Sequence, residues 1–372
     1  MSRPVHGGNL VWAAGLAQCS PRELLDFSAS ISPLGPPRSV CEVVQADFLS
    51  VTAYPDPTYG ELREALAQHH HVSIDYILPG NGAAELLTWA ARDLSEQGRL
   101  CFLASPHFSD YDRALKAFGC NPQSISLLDF DGWRLAHWEA SFLERISKET
   151  RLSECGLLLN NPHNPTGALF DRERVRALLL AFGCVVVDEA FMDFLPPERA
   201  QSVISWIDEF PNLVVLRSLT KFYSMPGLRL GYAVAHPKTL ERWQQWRDPW
   251  SVNTLAAAAG VAAIQDVAFQ QQTWQWLEEC SAQLYKGLLA LPQLTPLPSA
   301  ANFFLVGCEV SATELQRQLL LHHKIYIRDC MSFKALGDRY FRIAVKSAAD
   351  NQRLLQALAD VLPNLEALSD GR

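Results

Sequence analysis

Two short runs of the sequence are apolar at almost every position, and they constrain the fold more than any other feature. These runs, "CVVVDEAF" at 184–191 and "NLVVLRSLT" at 212–220, are rich in β-branched residues, which favour strands. A strand that is apolar on both faces is typical of a parallel sheet covered by helices on both sides. Strand-like runs followed by helical patterns also occur at 76–94, 99–119 and 155–183. The sequence therefore predicts an α/β fold with a mainly parallel sheet.

The chain of 372 residues is long enough for more than this one sheet. We expect the large α/β domain to occupy residues 46–260. Strand-like and helical patterns alternate again after it, which predicts a smaller α+β domain at 261–372. Residues 1–45 are rich in Pro, Gly and Ser and predict an N-terminal arm that packs on the small domain.

Charge and composition narrow the class of partner. The formal net charge is −8 and no block of Lys and Arg is present, so we expect no nucleic-acid or membrane partner and favour a small molecule. The first residues lack an apolar leader and no run of eighteen apolar residues occurs, which predicts a cytoplasmic protein. Nine cysteines without a C-x-x-C pair are expected to be reduced and mostly buried.

Ligands of open parallel sheets collect at the carboxyl ends of the strands, so the loops that follow the strands are candidate binding segments. The loop "PGNGAAE" brings Gly82, Ala83 and Ala84 to a helix start, where backbone N–H groups and the helix dipole favour an anion. The loop "NNPHNPTG" places Asn164 in a segment made rigid by proline. Each loop alone could equally be a plain turn.

Two further loops carry charged groups. "DEAF" places Asp188 at the end of an apolar strand, where a carboxylate needs a cationic partner, a hydrogen bond or a role as helix cap. "SLTKFYSMPGLRLGY" contributes a lysine, two hydroxyls and an arginine, namely Lys221, Ser218, Thr220 and Arg229. A free lysine is a poor catalyst near neutral pH because it is mostly protonated.

Pyridoxal 5′-phosphate requires this combination of groups. We expect the backbone amides, the hydroxyls and Arg229 to bind its phosphate, and Asp188 to keep its ring nitrogen protonated. Lys221 would form the Schiff base, which removes the charge of the lysine. Phe108 could stack on the ring.

The motifs "NPTG", "DEAF" and "SLTKFYSMPGLRLGY" resemble the fold-type I aminotransferase family, in order and spacing, from about residue 50 to 345. The resemblance implies a seven-stranded, mainly parallel sheet between helices. It implies that Gly82, Ala83, Ser218 and Arg229 contact the phosphate and that Asn164 binds the ring oxygen. It also implies that Tyr54 reaches the phosphate of a neighbouring subunit, so that a homodimer would share its active sites.

Within that family, "HGGN", "LLDFSASISPLGPP" and "YIRDCMSF" look most like the threonine-phosphate decarboxylases of cobalamin biosynthesis. The implied reaction converts O-phospho-L-threonine to (R)-1-amino-2-propanol O-phosphate and CO₂. Arginine suits bidentate capture of carboxylate or phosphate, so two arginines are candidate substrate clamps, with a surface ion pair as the alternative for either. By resemblance, a histidine approaches the substrate phosphate and a serine replaces the usual asparagine near the substrate. These four residues are Arg328, Arg342, His6 and Ser30.

Phe191 is a second feature that bears on the reaction. Most aminotransferases of the family carry a tyrosine at this position, whose hydroxyl donates to the ring oxygen of the cofactor. Phenylalanine here favours the decarboxylase, and a histidinol-phosphate aminotransferase is the alternative.

Three other classes of protein are weaker alternatives. A regulator that binds the same cofactor would need a basic DNA-binding segment, and a dinucleotide site would need G-x-G-x-x-G. Neither occurs in the sequence. The histidines at 69–71 and 322–323 lack partners at metal-ligand spacing, so we expect no metal and read them as solvated helix ends. Cys330 is read as a packing residue.

Overall fold

The structure is a computed structural model that describes residue 4 and residues 6–96, 100–126 and 151–370, with side chains described as far as residue 365. Twelve α-helices are assigned within these residues. In chain order, α1 to α12 are Leu10–Ala17, Arg38–Ala46, Gly60–His70, Ala83–Ser95, Ser109–Lys116, Arg172–Ala181, Leu219–Phe222, Pro237–Trp246, Thr254–Gln265, Val267–Leu289, Ala312–His323 and Ala348–Asp370.

Thirteen strands are assigned in the same residues. In chain order, β1 to β13 are Leu25–Asp26, Ile77–Asn81, Cys101–Ser105, Gln123–Ser126, Gly156–Asn160, Cys184–Asp188, Leu213–Ser218, Leu230–Ala235, Leu294–Pro296, Phe303–Cys308, Ile325–Tyr326, Arg328–Asp329 and Tyr340–Ala344.

The main sheet has seven strands in the order β2-β8-β7-β6-β5-β3-β4. Only β8 runs antiparallel to its neighbours β2 and β7, and the other pairs are parallel. The predicted mainly parallel sheet is confirmed. Because β5, β6 and β7 are adjacent and parallel, the loops that follow them meet at one edge of the sheet.

Apolar side chains cover both faces of this sheet, as the continuous apolar runs predict. On one face, Val186 and Val214 belong to a core cluster with residues of α4, α5 and α8. On the other face, Val185, Val187 and Val215 belong to the larger core with residues of α3, α6, α9 and α10. Each fully buried aliphatic side chain contributes about 1.5–3 kcal/mol to folding, so the sheet is a rigid base for the loops at its edge.

A second sheet has four antiparallel strands in the order β12-β13-β10-β9. The run "KIYIRD", a single strand-like pattern in the sequence, is divided between two sheets. Its first half, β11, pairs in parallel with β1 from the N-terminal segment, and its second half, β12, pairs with β13. The N-terminal segment is thus tied to the C-terminal third of the chain.

The predicted arm contains regular structure that its composition did not indicate. Helix α1 begins after Asn9, whose side chain accepts a hydrogen bond from the Trp12 backbone, and it packs on α11. The two predicted boundaries, at 45 and 260, fall inside α2 and α9 rather than between elements. The division into an arm and two domains stays a prediction.

Seven of the nine cysteines are buried, Cys19 is half-buried and Cys41 is exposed, and no disulfide joins any two of these nine described residues. Within the described residues, no helix is long and apolar enough to span a membrane, and no cluster of His, Cys, Asp and Glu could hold a metal ion. The reading of the histidines as solvated is wrong for His70. This side chain is half-buried, lies 2.6 Å from the Tyr232 hydroxyl through Nε2, and has a pKa well below its ordinary value because of burial.

A buried histidine in the loop after β5 makes the stability of the fold depend on pH. His163 is 1% exposed, its Nδ1 lies 2.8 Å from the Thr166 hydroxyl, and burial lowers its pKa from 6.5 to about 3. Between those values the unfolded chain binds more protons, so stability is lost as the pH falls below 6.5.

We therefore expect the free energy of unfolding to fall by about 2 kcal/mol from this group between pH 6.5 and 5. Urea unfolding at each pH measures the change. In a His163→Gln variant, the loss of unfolding free energy between pH 6.5 and 5 should be smaller by this amount. An exposed-site control, His322→Gln, should lose as much as the parent. If His163→Gln loses as much unfolding free energy as the parent over this pH range, His163 is not the source of the pH dependence.

Candidate active site

A cavity of about 370 Å³ lies at the carboxyl ends of β5, β6 and β7, where the sequence placed the site. Seven residues predicted to bind the cofactor line it, namely Phe108, Asn164, Asp188, Phe191, Thr220, Lys221 and Arg229. Three residues predicted for the substrate, His6, Ser30 and Arg342, line it as well. The fold therefore brings most of the predicted groups together from segments far apart in the chain.

Lys221 and Asp188 are the central charged groups of the cavity. Burial lowers the pKa of Lys221, and the cations Arg229 and Arg342 lower it further, whereas Asp188 acts in the opposite direction. The Lys221 Nζ lies 3.4 Å from the Ser218 hydroxyl and 5.1 Å from the ring centre of Phe191. A lysine in this environment is a better nucleophile at neutral pH than a free lysine, because less of it is protonated.

The Asp188 carboxylate is held at both of its oxygens. Its Oδ2 accepts a hydrogen bond of 2.6 Å from the Tyr111 hydroxyl, and its Oδ1 accepts one of 3.0 Å from the Ala190 backbone. Burial raises the pKa of Asp188, while Tyr111, Lys221 and the Ala190 amide lower it. Tyr111 lies three residues after Phe108 at the start of α5. Its role is not evident from the sequence.

Loss of the Tyr111 hydroxyl should weaken the charged form of Asp188. In a Tyr111→Phe variant we expect a higher pKa of Asp188 and a roughly tenfold loss of affinity for pyridoxal 5′-phosphate, as for a hydrogen bond to a charged group. The loss should grow as the pH falls, because protonation then removes more of the carboxylate. Fluorescence titration of the apoprotein between pH 6 and 8 measures it. Tyr285→Phe is a control outside the cavity, and equal affinities for Tyr111→Phe and the parent would refute the role.

The predicted phosphate contacts lie around the start of α4. Gly82 precedes this helix with φ +73°, and no side chain caps the helix there. A Cβ on Gly82 would lie 2.6 Å from Nη2 of Arg229, so the backbone and the guanidinium approach each other closely only because this residue is glycine. Ala83 and Ala84 follow as the first two residues of α4, where N–H groups and the helix dipole favour an anion. The hydroxyls of Ser218 and Thr220 lie 2.8 Å apart nearby on the Lys221 segment.

Arg342 connects the small sheet to the cavity. It is 8% exposed, and its Nη1 donates to the Asn164 side-chain oxygen at 2.5 Å while its Nη2 donates to the Ser28 carbonyl at 3.2 Å. Its guanidinium also lies 5.0 Å from the ring centre of Phe303. Burial lowers its pKa to about 10, so it remains cationic at neutral pH. The cavity thus holds three cations and one carboxylate, which suits an anionic ligand.

Two buried polar atoms at the cavity wall have no hydrogen-bond partner within the part of the chain that the structure describes. They are the hydroxyl of Ser30, which is 5% exposed, and Nε of Arg342. An unsatisfied buried polar group costs about 1–3 kcal/mol, so a polar ligand at this wall would be stabilised by both.

Six predicted residues do not line this cavity, namely Gly82, Ala83, Ala84 and Ser218, described above, and Arg328 and Tyr54. Arg328 is buried and donates to the Ser332 hydroxyl at 2.6 Å and to the Pro4 carbonyl at 3.4 Å. The structure therefore places it against the N-terminal segment. Tyr54 is 79% exposed and packs on Trp250 at 4.6 Å between ring centres. Its predicted role on a neighbouring subunit stays a prediction.

Sequence reasoning also missed Asn160, the last residue of β5. Its side-chain oxygen accepts from the Asn164 backbone at 2.6 Å, and its Nδ2 donates to the Asp188 carbonyl at 2.7 Å. Asn160 thereby fixes the two loops relative to each other. The signal was present in "NNPHNPTG", where an amide side chain directly ends an apolar strand.

Residues 22–358 match the family described as aminotransferase class I and II, and the chain belongs to this family. The threonine-phosphate decarboxylase of Salmonella typhimurium is 43% identical over 367 residues, which cover 97% of this chain and 97% of that protein. The solved L-threonine-O-3-phosphate decarboxylase of Porphyromonas gingivalis superposes with a TM-score of 0.79 at 25% identity, over 91% of this chain and 99% of that one. The solved histidinol-phosphate aminotransferase of Clostridium acetobutylicum gives a TM-score of 0.83 at 26% identity, over 92% and 100%. The predicted fold and family are confirmed.

The cavity fits the cofactor of this family, pyridoxal 5′-phosphate. The space beside Gly82 that a Cβ would fill lies next to Arg229, at an uncapped helix start. At the other end, the half-buried Asp188 carboxylate is available for a cationic ring nitrogen, and between them lies a lysine with a lowered pKa. These donors match a ligand with a phosphate, a protonated heterocycle and an aldehyde.

Proposed function

We propose that this protein decarboxylates O-phospho-L-threonine to (R)-1-amino-2-propanol O-phosphate and CO₂, with pyridoxal 5′-phosphate as cofactor. The pathway that its relatives imply is cobalamin biosynthesis. One observation carries the proposal: a cavity with three cations around one carboxylate lies in a chain that is 43% identical, along 97% of its length, to a threonine-phosphate decarboxylase.

In this proposal the cofactor is held by groups from four loops. Lys221 would hold it covalently through Nζ, Asp188 would bind its ring nitrogen, and Asn164 its ring oxygen. The ring would lie against Phe108. Its phosphate would be bound by the α4 start and the Lys221 segment, through Gly82, Ala83, Ala84, Ser218, Thr220 and Arg229. When bound, the cofactor supplies an electron sink for the pair left by a broken bond at the α-carbon.

The residues around the cavity decide which bond breaks, because only the bond perpendicular to the ring plane is activated. Arg342 is oriented by Asn164, Ser28 and Phe303, and its unsatisfied Nε is available for a substrate anion. We assign it to substrate binding. Loss of CO₂ must be followed by addition of a proton to the same carbon. Lys221 Nζ, with its lowered pKa, is placed to hold that proton.

Phe191 supports decarboxylation over transamination. It is 4% exposed and packs edge-on against Phe303, with ring centres 5.0 Å apart. It offers no hydroxyl at the position where most aminotransferases of the family have one. We infer that a Phe191→Tyr variant would lower the pKa of the coenzyme absorbance titration, because a phenolate that accepts a hydrogen bond is stabilised.

The deciding experiment gives the purified holoenzyme O-phospho-L-threonine and measures CO₂ and the amino-alcohol phosphate. Histidinol phosphate with 2-oxoglutarate is the parallel assay for the alternative, an aminotransferase, with glutamate as its product. CO₂ release without glutamate formation is the expected result. Glutamate formation without CO₂ would replace the decarboxylase by the aminotransferase.

A homodimer with shared active sites is part of the proposal. Phe48, Leu49, Val51, Tyr54 and Trp250 are all exposed large apolar side chains, and Tyr54 packs on Trp250. Exposed apolar groups of this kind mark interaction surfaces. We expect sedimentation to give twice the mass of 41.5 kDa, and a monomer at micromolar concentration would contradict it.

A further inference from the structure

Ser28 lies where the N-terminal segment, residues 6–8, meets the cavity wall. It is fully buried, and its hydroxyl accepts a hydrogen bond of 2.8 Å from the Gly8 backbone. The same hydroxyl donates to Oδ1 of Asp26 at 2.6 Å. Its carbonyl accepts from Arg342 at 3.2 Å. One residue thus contacts both the N-terminal segment and an arginine of the cavity.

The backbone around Ser28 is fixed to both small sheets. The Phe27 N–H donates to the Tyr326 carbonyl at 2.8 Å, and the Phe27 carbonyl accepts from the Ala344 N–H at 2.9 Å. The Ser28 N–H donates to Oδ1 of Asp26 at 2.7 Å. Because these bonds come from two directions, Ser28 is a rigid point to which a looser segment can attach.

The N-terminal segment attaches to this point closely. A Cβ on Gly7 would lie 2.2 Å from the Ser28 carbonyl oxygen, so a glycine is required for this contact. His6, next in the chain, reaches across the cavity to Phe108, with ring centres 5.3 Å apart. His6 itself is exposed. Its position over the cavity therefore depends on how its neighbours are attached.

Two guanidinium groups lie near the cavity end beneath His6, with the carboxylates of Asp26 and Asp110 as nearby opposite charges. Arg342 lines the cavity with His6, and Arg328 lies behind the segment, where it donates to the Pro4 carbonyl. Both guanidinium groups are buried. An anionic group of a substrate is favoured at this end, and a segment that covers it excludes water and strengthens the attraction.

We propose that Ser28 is a positioning residue that attaches the N-terminal segment over the anionic end of the substrate. Its hydroxyl binds Gly8, and this contact holds His6 across the cavity mouth. The inference rests on the proposed function for the identity of the substrate, O-phospho-L-threonine. The attachment itself is a property of the protein without substrate.

Two measurements on Ser28→Ala test it. Without substrate, hydrogen exchange at the Gly8 amide should be about tenfold faster, because its acceptor is lost. In the holoenzyme, KM for O-phospho-L-threonine should rise about tenfold while kcat changes less than about threefold. The dissociation constant of L-threonine, which lacks the phosphate, should change less than about twofold. Ser20→Ala, the same change at an exposed position between α1 and β1, is the matched control.

Gly7→Ala tests the attachment from the other side and covers the case in which Ser28→Ala does not fold. Its added methyl group should displace the segment and reproduce the change in KM, with Ser28 intact. Equal KM values for parent, Ser28→Ala and Gly7→Ala would overturn the proposal, and so would unchanged exchange at Gly8. If no variant and no parent turns over O-phospho-L-threonine, the proposed function fails. Hydrogen exchange at the Gly8 amide of Ser28→Ala then still tests the attachment. Faster exchange than in the parent would support it, and an unchanged rate would overturn it.

Discussion

Replacement of Lys221 by alanine is expected to lower kcat by roughly 10⁴-fold or more, as loss of a group that acts both as nucleophile and as proton carrier does in other enzymes. Lys221 has a pKa lowered by burial and lies within the cavity beside Asp188. Among the residues that the structure describes, no other lysine lines that cavity. Steady-state CO₂ release from O-phospho-L-threonine measures the loss.

A second readout does not depend on turnover. Borohydride reduction of the parent holoenzyme should fix the cofactor to the peptide that contains Lys221, and Lys221→Ala should take up no label. Lys238→Ala, at an exposed position of α8, is the matched control and should keep full activity and labelling. A label on another peptide, or turnover in Lys221→Ala within tenfold of the parent, would refute the role.

Replacement of Asp188 by asparagine should lower kcat by about 10²- to 10⁴-fold, the equivalent of the 3–5 kcal/mol that removal of one partner of a buried charge pair costs. The variant keeps the shape of the side chain, and its oxygen can still accept the Tyr111 hydrogen bond. It loses the negative charge that now favours the protonated forms of Lys221 and of a ring nitrogen. The pKa of Lys221 should therefore fall further, because the opposing effect is gone.

The absorbance of the loaded enzyme against pH separates this effect from misfolding. The transition in Asp188→Asn should move to lower pH, and circular dichroism should match the parent. Asp208→Asn, at an exposed position, is the control. An Asp188→Asn enzyme with more than a third of the parent's kcat would refute the electrostatic role.

The sequence predicted the sheet and the loops of the site because both depend on local patterns. A run such as "CVVVDEAF" indicates a strand that is buried on both faces. The same run shows that a carboxylate lies at the end of this strand. Parallel strands then bring the ends of such runs together. Asp188 and Lys221 were found in this way, and the cavity contains both.

Contacts between segments that no local pattern connects were not predictable. Tyr111 reads from sequence as one aromatic residue in a helix, and its bond to Asp188 spans 77 residues. The break of "KIYIRD" into β11 and β12 depends on β1, a strand of two residues from the N-terminal segment. For Arg328, residue type and motif suggest a substrate clamp, and this role stays a prediction; its bond to Pro4 depends on where the N-terminal residues lie, which no local pattern shows.

The two hydrogen bonds of Arg342 also bear on how the protein is made. They join residues separated by 178 positions, to Asn164, and by 314 positions, to Ser28. During synthesis, the residues around 28 and 164 leave the ribosome long before residue 342, so this wall of the cavity cannot close until residue 342 has emerged. Nascent chains that lack residue 342 should therefore bind substrate poorly, and contacts of such separation slow folding.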